Sequence, residues 1–260
     1  MKTIAGKTVL LTGASRGIGV FIARALAREQ ANVVNVSHLD ISNASDLPIL
    51  MQQIAQFVGP LESIDILINN AAIVKYRTFQ DYSLEDIQSV LATNLLAPME
   101  LTRLVLQNMV RRGSGHIVNI ASLAGKKGCP YNSIYSASKA GLIMWTDAIR
   151  QELASTGVDI SVICPGYVSE AGMFFGVPAP TLAGTSTPTD VANAVIRAIK
   201  QNKAEVIVNQ GCVREGLTKV LFAIGQISPG FGDAVYRRLG MARLNQMRAE
   251  NQMHIENLFL

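Results

Sequence analysis

Thr8-Val9-Leu10-Leu11-Thr12-Gly13-Ala14-Ser15-Arg16-Gly17-Ile18-Gly19 decides how the rest of the chain is read. A short apolar run leads into a glycine-rich turn, which opens directly into a helical pattern from Ile18 to Glu29. An unbroken apolar strand feeding a helix is the opening of a β-α-β unit. Glycine lets the backbone turn tightly and lie against a phosphate, whose charge the helix N-terminus favours. The spacing is G-x-x-x-G-x-G rather than G-x-G-x-x-G, so the turn taken alone also admits a packing role.

The alternation continues outward from that turn. Strands are predicted at Asn32–Ser37, Ile64–Asn69, Gly115–Ala121, Asp159–Cys164 and Glu205–Asn209. They are mostly continuous apolar runs, as strands covered on both faces are. Helices are predicted at Leu47–Phe57, Leu84–Arg111 with a kink at Pro98, Tyr135–Thr156 and Thr189–Gln201. This order implies an α/β fold, a doubly wound, Rossmann-like parallel sheet with helices on both faces. No repeat or Pro/Gly-rich linker divides it. Residues 1–209 read as a nucleotide-binding and catalytic domain, and 210–260 as a C-terminal helical extension packed on that domain or on a partner.

Composition narrows the class further. With 49% hydrophobic and 16% charged residues, the 260-residue chain is a globular protein rather than a disordered one. Its 3 cysteines are too few for a disulfide scaffold. No apolar run reaches the roughly 18–20 residues of a membrane span, and the early first strand leaves no room for a signal peptide. The expectation is a soluble, cytoplasmic protein. A net charge of +4 calls for no nucleic-acid partner but tolerates a phosphate-bearing ligand.

The chemistry lies in the middle of the chain. Ser122 ends a strand thirteen residues before Tyr135, which opens Tyr135-Ser136-Ala137-Ser138-Lys139. At i,i+4, Tyr135 and Lys139 share one helix face. A phenol near its reference pKa of about 10 is a poor acid or base at neutral pH, and a close ammonium is expected to lower it. A bare Y-x-x-x-K is more often a packed ring beside a solvated cation. Here it is joined by Asn94 in Ala92-Thr93-Asn94-Leu95, by Asn69-Asn70-Ala71-Ala72 after a strand, and by Pro165-Gly166 after another.

Together these segments resemble the short-chain dehydrogenase/reductase family, over roughly Lys7 to Asn209. The resemblance implies hydride transfer between NAD(P) and a carbonyl or alcohol carbon. It makes Tyr135 the general acid/base and Ser122 the group that polarises the carbonyl. Lys139 tunes Tyr135 and holds the nicotinamide ribose, and Asn94 orders a water near the lysine. Cofactor contacts are implied for Gly13, Ser15, Arg16, Gly17, Ile18, Gly19, Asn70, Ala71, Tyr135, Lys139, Pro165, Gly166 and Val168. A related dehydratase or epimerase would use the same Tyr/Lys pair without net cofactor turnover.

Ala72 stands where the family usually has glycine. The larger departure is a shortfall of about twenty residues, a strand–helix unit, between Asn32 and Asp40. Either the merged strand lies beside the first strand, bringing Asp40 or His38 to the adenine ribose, or it keeps a third-strand position and leaves a gap. The first is preferred, because a gap leaves backbone groups unpaired. The shortened region also admits a cofactor-impaired relative that acts by binding. Arg16 suits the 2′-phosphate of NADP, and Asp40 would repel it. The weight falls to NADP, with NAD the alternative.

The segment Tyr167–Pro180 corresponds to the family's substrate loop. Its Val168, Met173, Phe174, Phe175, Val177 and Pro178 suit a hydrophobic substrate, or simply cover the core. The amphipathic, basic tail reads as a pocket cap or an oligomer contact in a homodimer or homotetramer. A peripheral membrane helix is the less favoured reading. His38, His116 and His254 are dispersed, and Cys129, Cys164 and Cys212 are unpaired, so no metal site is expected. Asp159 reads as a turn residue beside a strand start.

Overall fold

A computed structural model describes residues 3–35, 52, 63–169, 185–209 and 215–257. Its main sheet is built from β1 (Thr8–Leu11), β2 (Asn32–Asn35), β3 (Ile66–Asn69), β4 (Gly115–Ile120), β5 (Val158–Pro165) and β8 (Glu205–Val208). Their order is β2-β1-β3-β4-β5-β8, with every pairing parallel. Two short strands, β6 (Tyr167–Val168) and β7 (Thr185–Ser186), pair separately.

The predicted apolar runs become strands because both sheet faces are covered. On one face, Ile22 and Leu26 of α1 (Ile18–Arg28) pack with Val191, Val195 and Ile199 of α5 (Pro188–Gln201) against β1, β3 and β4. On the other, Leu101, Val105 and Met109 of α3 (Ala97–Arg111) meet Leu10, Leu67 and Ile117. Leu142 and Ile143 of α4 (Ser133–Glu152) pack on Val162, Cys164 and Ile207. Burial of such side chains contributes about 1.5–3 kcal/mol each before the entropy cost of ordering the chain.

The merged-strand question is answered in part: Asn32–Asn35 lies beside β1, in register from Thr8↔Asn32 to Leu11↔Asn35. Asp40, His38 and, apart from Gln52, the helix predicted at Leu47–Phe57 fall outside the described residues, as do Met173 to Pro178 and Cys212.

The helix predicted at Leu84–Arg111 runs as contiguous helical segments. The helix from Leu84 is interrupted by a π-helical turn, Ala92–Leu96, after α2 (Leu84–Leu91), and Pro98 sits in the first turn of α3. The proline has no N–H to donate to the preceding turn, and the wider π-helical turn lies directly before it. Asp159 is not a turn residue but the second residue of β5, where its carboxylate accepts from Asn202 Nδ2 at 2.7 Å. The tail forms three helices, α6 (Glu215–Ile227), α7 (Pro229–Arg238) and α8 (Met241–Asn257).

Candidate active site

Parallel strands place their carboxyl ends along one edge, and the polar motifs gather there. Gly13 follows β1, Asn70 follows β3, Ser122 follows β4 and Gly166 follows β5. Gly13 has φ +67°, and a Cβ on it would stand 2.9 Å from Ala71 Cα. A Cβ on Gly19 would overlap the Gly13 carbonyl, so that residue admits no side chain. Asn70 Nδ2 donates to the Thr12 and Gly13 carbonyls, both at 3.0 Å, while Thr12 Oγ1 accepts from the N–H groups of Asn70 and Ala71. The second motif therefore buttresses the glycine turn. Gly17 is the N-cap of α1, and Ser15 and Arg16 are exposed beside Ile18 at the helix start. That end of α1 presents a positive dipole and open N–H groups, the arrangement a pyrophosphate needs.

Asn94 is fully buried in the π-helical turn. Its Oδ1 accepts from Ile73 N–H at 2.9 Å, and Nδ2 donates to Ile73 O at 2.9 Å and Ser138 Oγ at 3.1 Å. The side chain thus clamps the strand-3 loop to α4, one residue before Lys139.

Tyr135 and Lys139 are both buried, and Lys139 Nζ lies 5.7 Å from the Tyr135 ring centre. Ser122 lies two residues beyond β4 and caps a 3-10 turn, its Oγ accepting from Ala124 N–H at 3.1 Å. Burial pushes the Tyr135 phenol up to about 12, opposed by its hydrogen bond with Ser122. Burial also pulls Lys139 down to about 8. The lowering expected of Lys139 together with an oxidised nicotinamide concerns the cofactor-bound site; the protein's own groups leave the phenol raised. Desolvation is the largest influence on the phenol, and the positive charge of an oxidised nicotinamide would oppose it. The steric cradle at Gly13 and Gly19 and the helix end beside it fit the pyrophosphate part of a dinucleotide.

Val168 is buried in the core rather than open to the cleft, and Pro165 pairs with Val208 at the end of β5. Among the described residues no cluster of His, Cys, Asp or Glu could hold a metal. His116 is buried against Ser161 at 2.9 Å, and burial holds its pKa down to about 4. Cys129 and Cys164 are free thiols.

Ser122 and Tyr135 open into a cavity of about 320 Å³. Its roof comes from the tail, through Leu221, Phe222, Phe231, Val235 and Leu239. Arg248 of α8 is among the lining residues. Its guanidinium lies 4.7 Å from the Tyr167 ring centre and 5.3 Å from that of Tyr76, and Nη1 donates to Tyr76 Oη at 3.2 Å. The sequence reading missed Tyr76, Asn132 and Arg248. A lone arginine in an amphipathic helix reads as solvated, and nothing local ties it to tyrosines so far away in the chain.

A nucleotide cradle and a Ser–Tyr–Lys group at the carboxyl edge of a doubly wound sheet, under an apolar roof, define a nicotinamide-dependent oxidoreductase. The short chain dehydrogenase profile matches residues 34–177, and the chain belongs to that family. It is 58% identical to the ketoacyl reductase HetN of Nostoc sp., over 97% of this chain and 96% of that protein. It is 34% identical to the 3-oxoacyl-[acyl-carrier-protein] reductase of Synechocystis sp., over 65% of this chain and 77% of that one. Against the Escherichia coli reductase FabG the identity is 29%, over 73% and 88%. The alignment with HetN runs over 278 positions, more than the 260 residues of this chain, so that relative carries residues with no counterpart here.

Proposed function

We propose that this protein uses NADPH to reduce the keto group of a hydrophobic, acyl-chain-like substrate, with NADH the weaker donor. The observation that carries the reading is the apolar cavity against Ser122 and Tyr135. Such a cavity buries a hydrocarbon chain and excludes water from the reacting carbon. The names of the relatives, ketoacyl and 3-oxoacyl reductases, point to the same substrate class.

In this reading Ser122 hydrogen-bonds the substrate oxygen, and Tyr135 delivers the proton as hydride arrives from the nicotinamide. Lys139 holds the ribose and stabilises the phenolate left on Tyr135. Asn94 fixes the α4 face that carries both. Arg16, exposed at the turn, supplies a guanidinium for a 2′-phosphate. The site is small-molecule chemistry in a cytoplasmic homodimer or homotetramer, and the tail serves its own pocket rather than a membrane.

A second reading, a relative with weakened cofactor binding, draws on the residues that HetN has and this chain lacks. Titration with NADPH and NADH, followed by nicotinamide fluorescence, separates the two. Saturable binding, tighter for NADPH, supports the reductase. No binding of either at millimolar concentration overturns it.

A further inference from the structure

Helix α6 is apolar around more of its circumference than one buried face requires. Thr218, Phe222 and Gly225 form its inner face and line the cavity. At about 3.6 residues per turn, Leu217, Val220, Leu221, Ile224 and Ile227 fall on a second stripe, turned away from the first. All five are exposed, Val220 at 52% and Ile227 at 85%. A helix that is hydrophobic all round is normally covered all round. A Cβ on Gly232 would stand 3.1 Å from Gly225 Cα, so α6 and α7 cross with their backbones close and form one roof. Phe231 of α7 adds a further exposed ring, at 48%.

The chemistry of the stripe selects its occupant. With 13 residues, α6 is about 20 Å long, and no helix among the described residues is long and apolar enough to cross a membrane. Lys219 is the only charged residue from Gly216 to Gly230. The stripe therefore lacks the Lys/Arg-rich border that holds an amphipathic helix on an anionic lipid surface, and offers no charge to an acidic or basic partner. A neutral apolar stripe is complementary to itself, and a two-fold axis sets the same surface of two copies face to face. Homodimer interfaces have apolar centres of this kind. Leu221 and Phe231 both line the cavity and reach solvent, so a single layer of side chains closes the pocket there.

We propose that the α6 stripe, with Phe231, is an isologous interface between two copies of this chain, and that the second copy completes the roof over the substrate pocket. The association stands on this surface alone, whereas its effect on catalysis rests on the reductase reading.

Sedimentation velocity of the full-length protein over a wide concentration range, without substrate, tests the association. Wild type should assemble. Val220→Lys combined with Ile227→Lys, at two positions outside the cavity lining, should halve the assembled mass, because the interface would bury like charges. Melting temperature and NADPH binding should hold, since both side chains face solvent in the single chain. KM for a 3-oxoacyl thioester should rise several-fold in the double variant. A monomeric wild type, or an undiminished mass in the double variant, overturns the interface. Pelleting of wild type but not the double variant with phosphatidylcholine vesicles also overturns it, and makes lipid the occupant. Should the double variant fold poorly, Ile227→Gln decides: its dissociation constant should rise several-fold, and an unchanged constant overturns the interface. A halved mass with KM unchanged overturns the roof-completing role. Should neither protein turn over a ketone, the reductase reading fails separately, and thermal-shift binding of the same thioester replaces KM in that comparison.

Discussion

Lys139 Nζ donates to the Ile120 carbonyl at 2.8 Å, tying α4 to the end of β4. The ammonium is buried, and its pKa is pulled from 10.5 down to about 8. The folded protein therefore binds fewer protons than the unfolded chain between about pH 8 and 10.5, so this residue makes stability rise with pH across that window. At neutral pH the charged lysine is a burden on the cofactor-free fold. Lys139→Met should melt higher than wild type at pH 7, by roughly 2–4 °C for each kcal/mol recovered. The gap should narrow as pH climbs from 8 toward 10. Differential scanning calorimetry across that range checks it; a constant gap would contradict the burial account.

The Tyr135 phenol, pushed up to about 12, is protonated throughout the neutral range. Keto reduction, which needs the proton on Tyr135, should vary little between pH 6 and 8. Alcohol oxidation needs the phenolate, whose fraction grows about tenfold per pH unit below the pKa. Initial rates in both directions, with constant cofactor saturation, should show oxidation rising with pH and reduction nearly flat.

Gly19 faces the Gly13 carbonyl too closely for any side chain. Gly19→Ala must push the glycine turn apart, and NADPH affinity should fall about a hundredfold or more, since the pyrophosphate contacts depend on that turn. Isothermal titration with NADPH reads the effect.

The Arg248 guanidinium joins the roof to Tyr167 and Tyr76 through stacking and one hydrogen bond. Desolvated cation–π contacts are worth about 2 kcal/mol, so Arg248→Ala should raise KM for the keto substrate by roughly tenfold or more. Its affinity for NADPH should change much less. A tail that roofs its own pocket also predicts equal, negligible pelleting with anionic liposomes for full-length protein and a version ending at Gln210. Selective pelleting of the full chain would favour a membrane role.

The fold was legible where burial leaves a pattern. Continuous apolar runs such as Ile66–Asn69 mark strands covered on both faces, and Gly13 and Gly19 mark a turn with no room for Cβ atoms. Ser122, Tyr135 and Lys139 were legible because i,i+4 spacing and one preceding strand end bring them together. The π-helical turn at Asn94 was not, because one extra residue per turn leaves no trace in hydrophobic spacing. Asn132 and Arg248 were hidden for another reason: both are polar types that ordinarily face water, and only the tail folding over the pocket buries them. The tuning of Tyr135 was legible only in part, because sequence shows a nearby lysine but not the burial that pushes the phenol up.

The most direct test of the account is NADPH oxidation driven by a 3-oxoacyl thioester, measured for wild type and Tyr135→Phe at matched cofactor saturation. The account predicts substrate-dependent oxidation by wild type, and its loss in Tyr135→Phe with NADPH binding unchanged. Substrate-dependent oxidation that survives in Tyr135→Phe would contradict it.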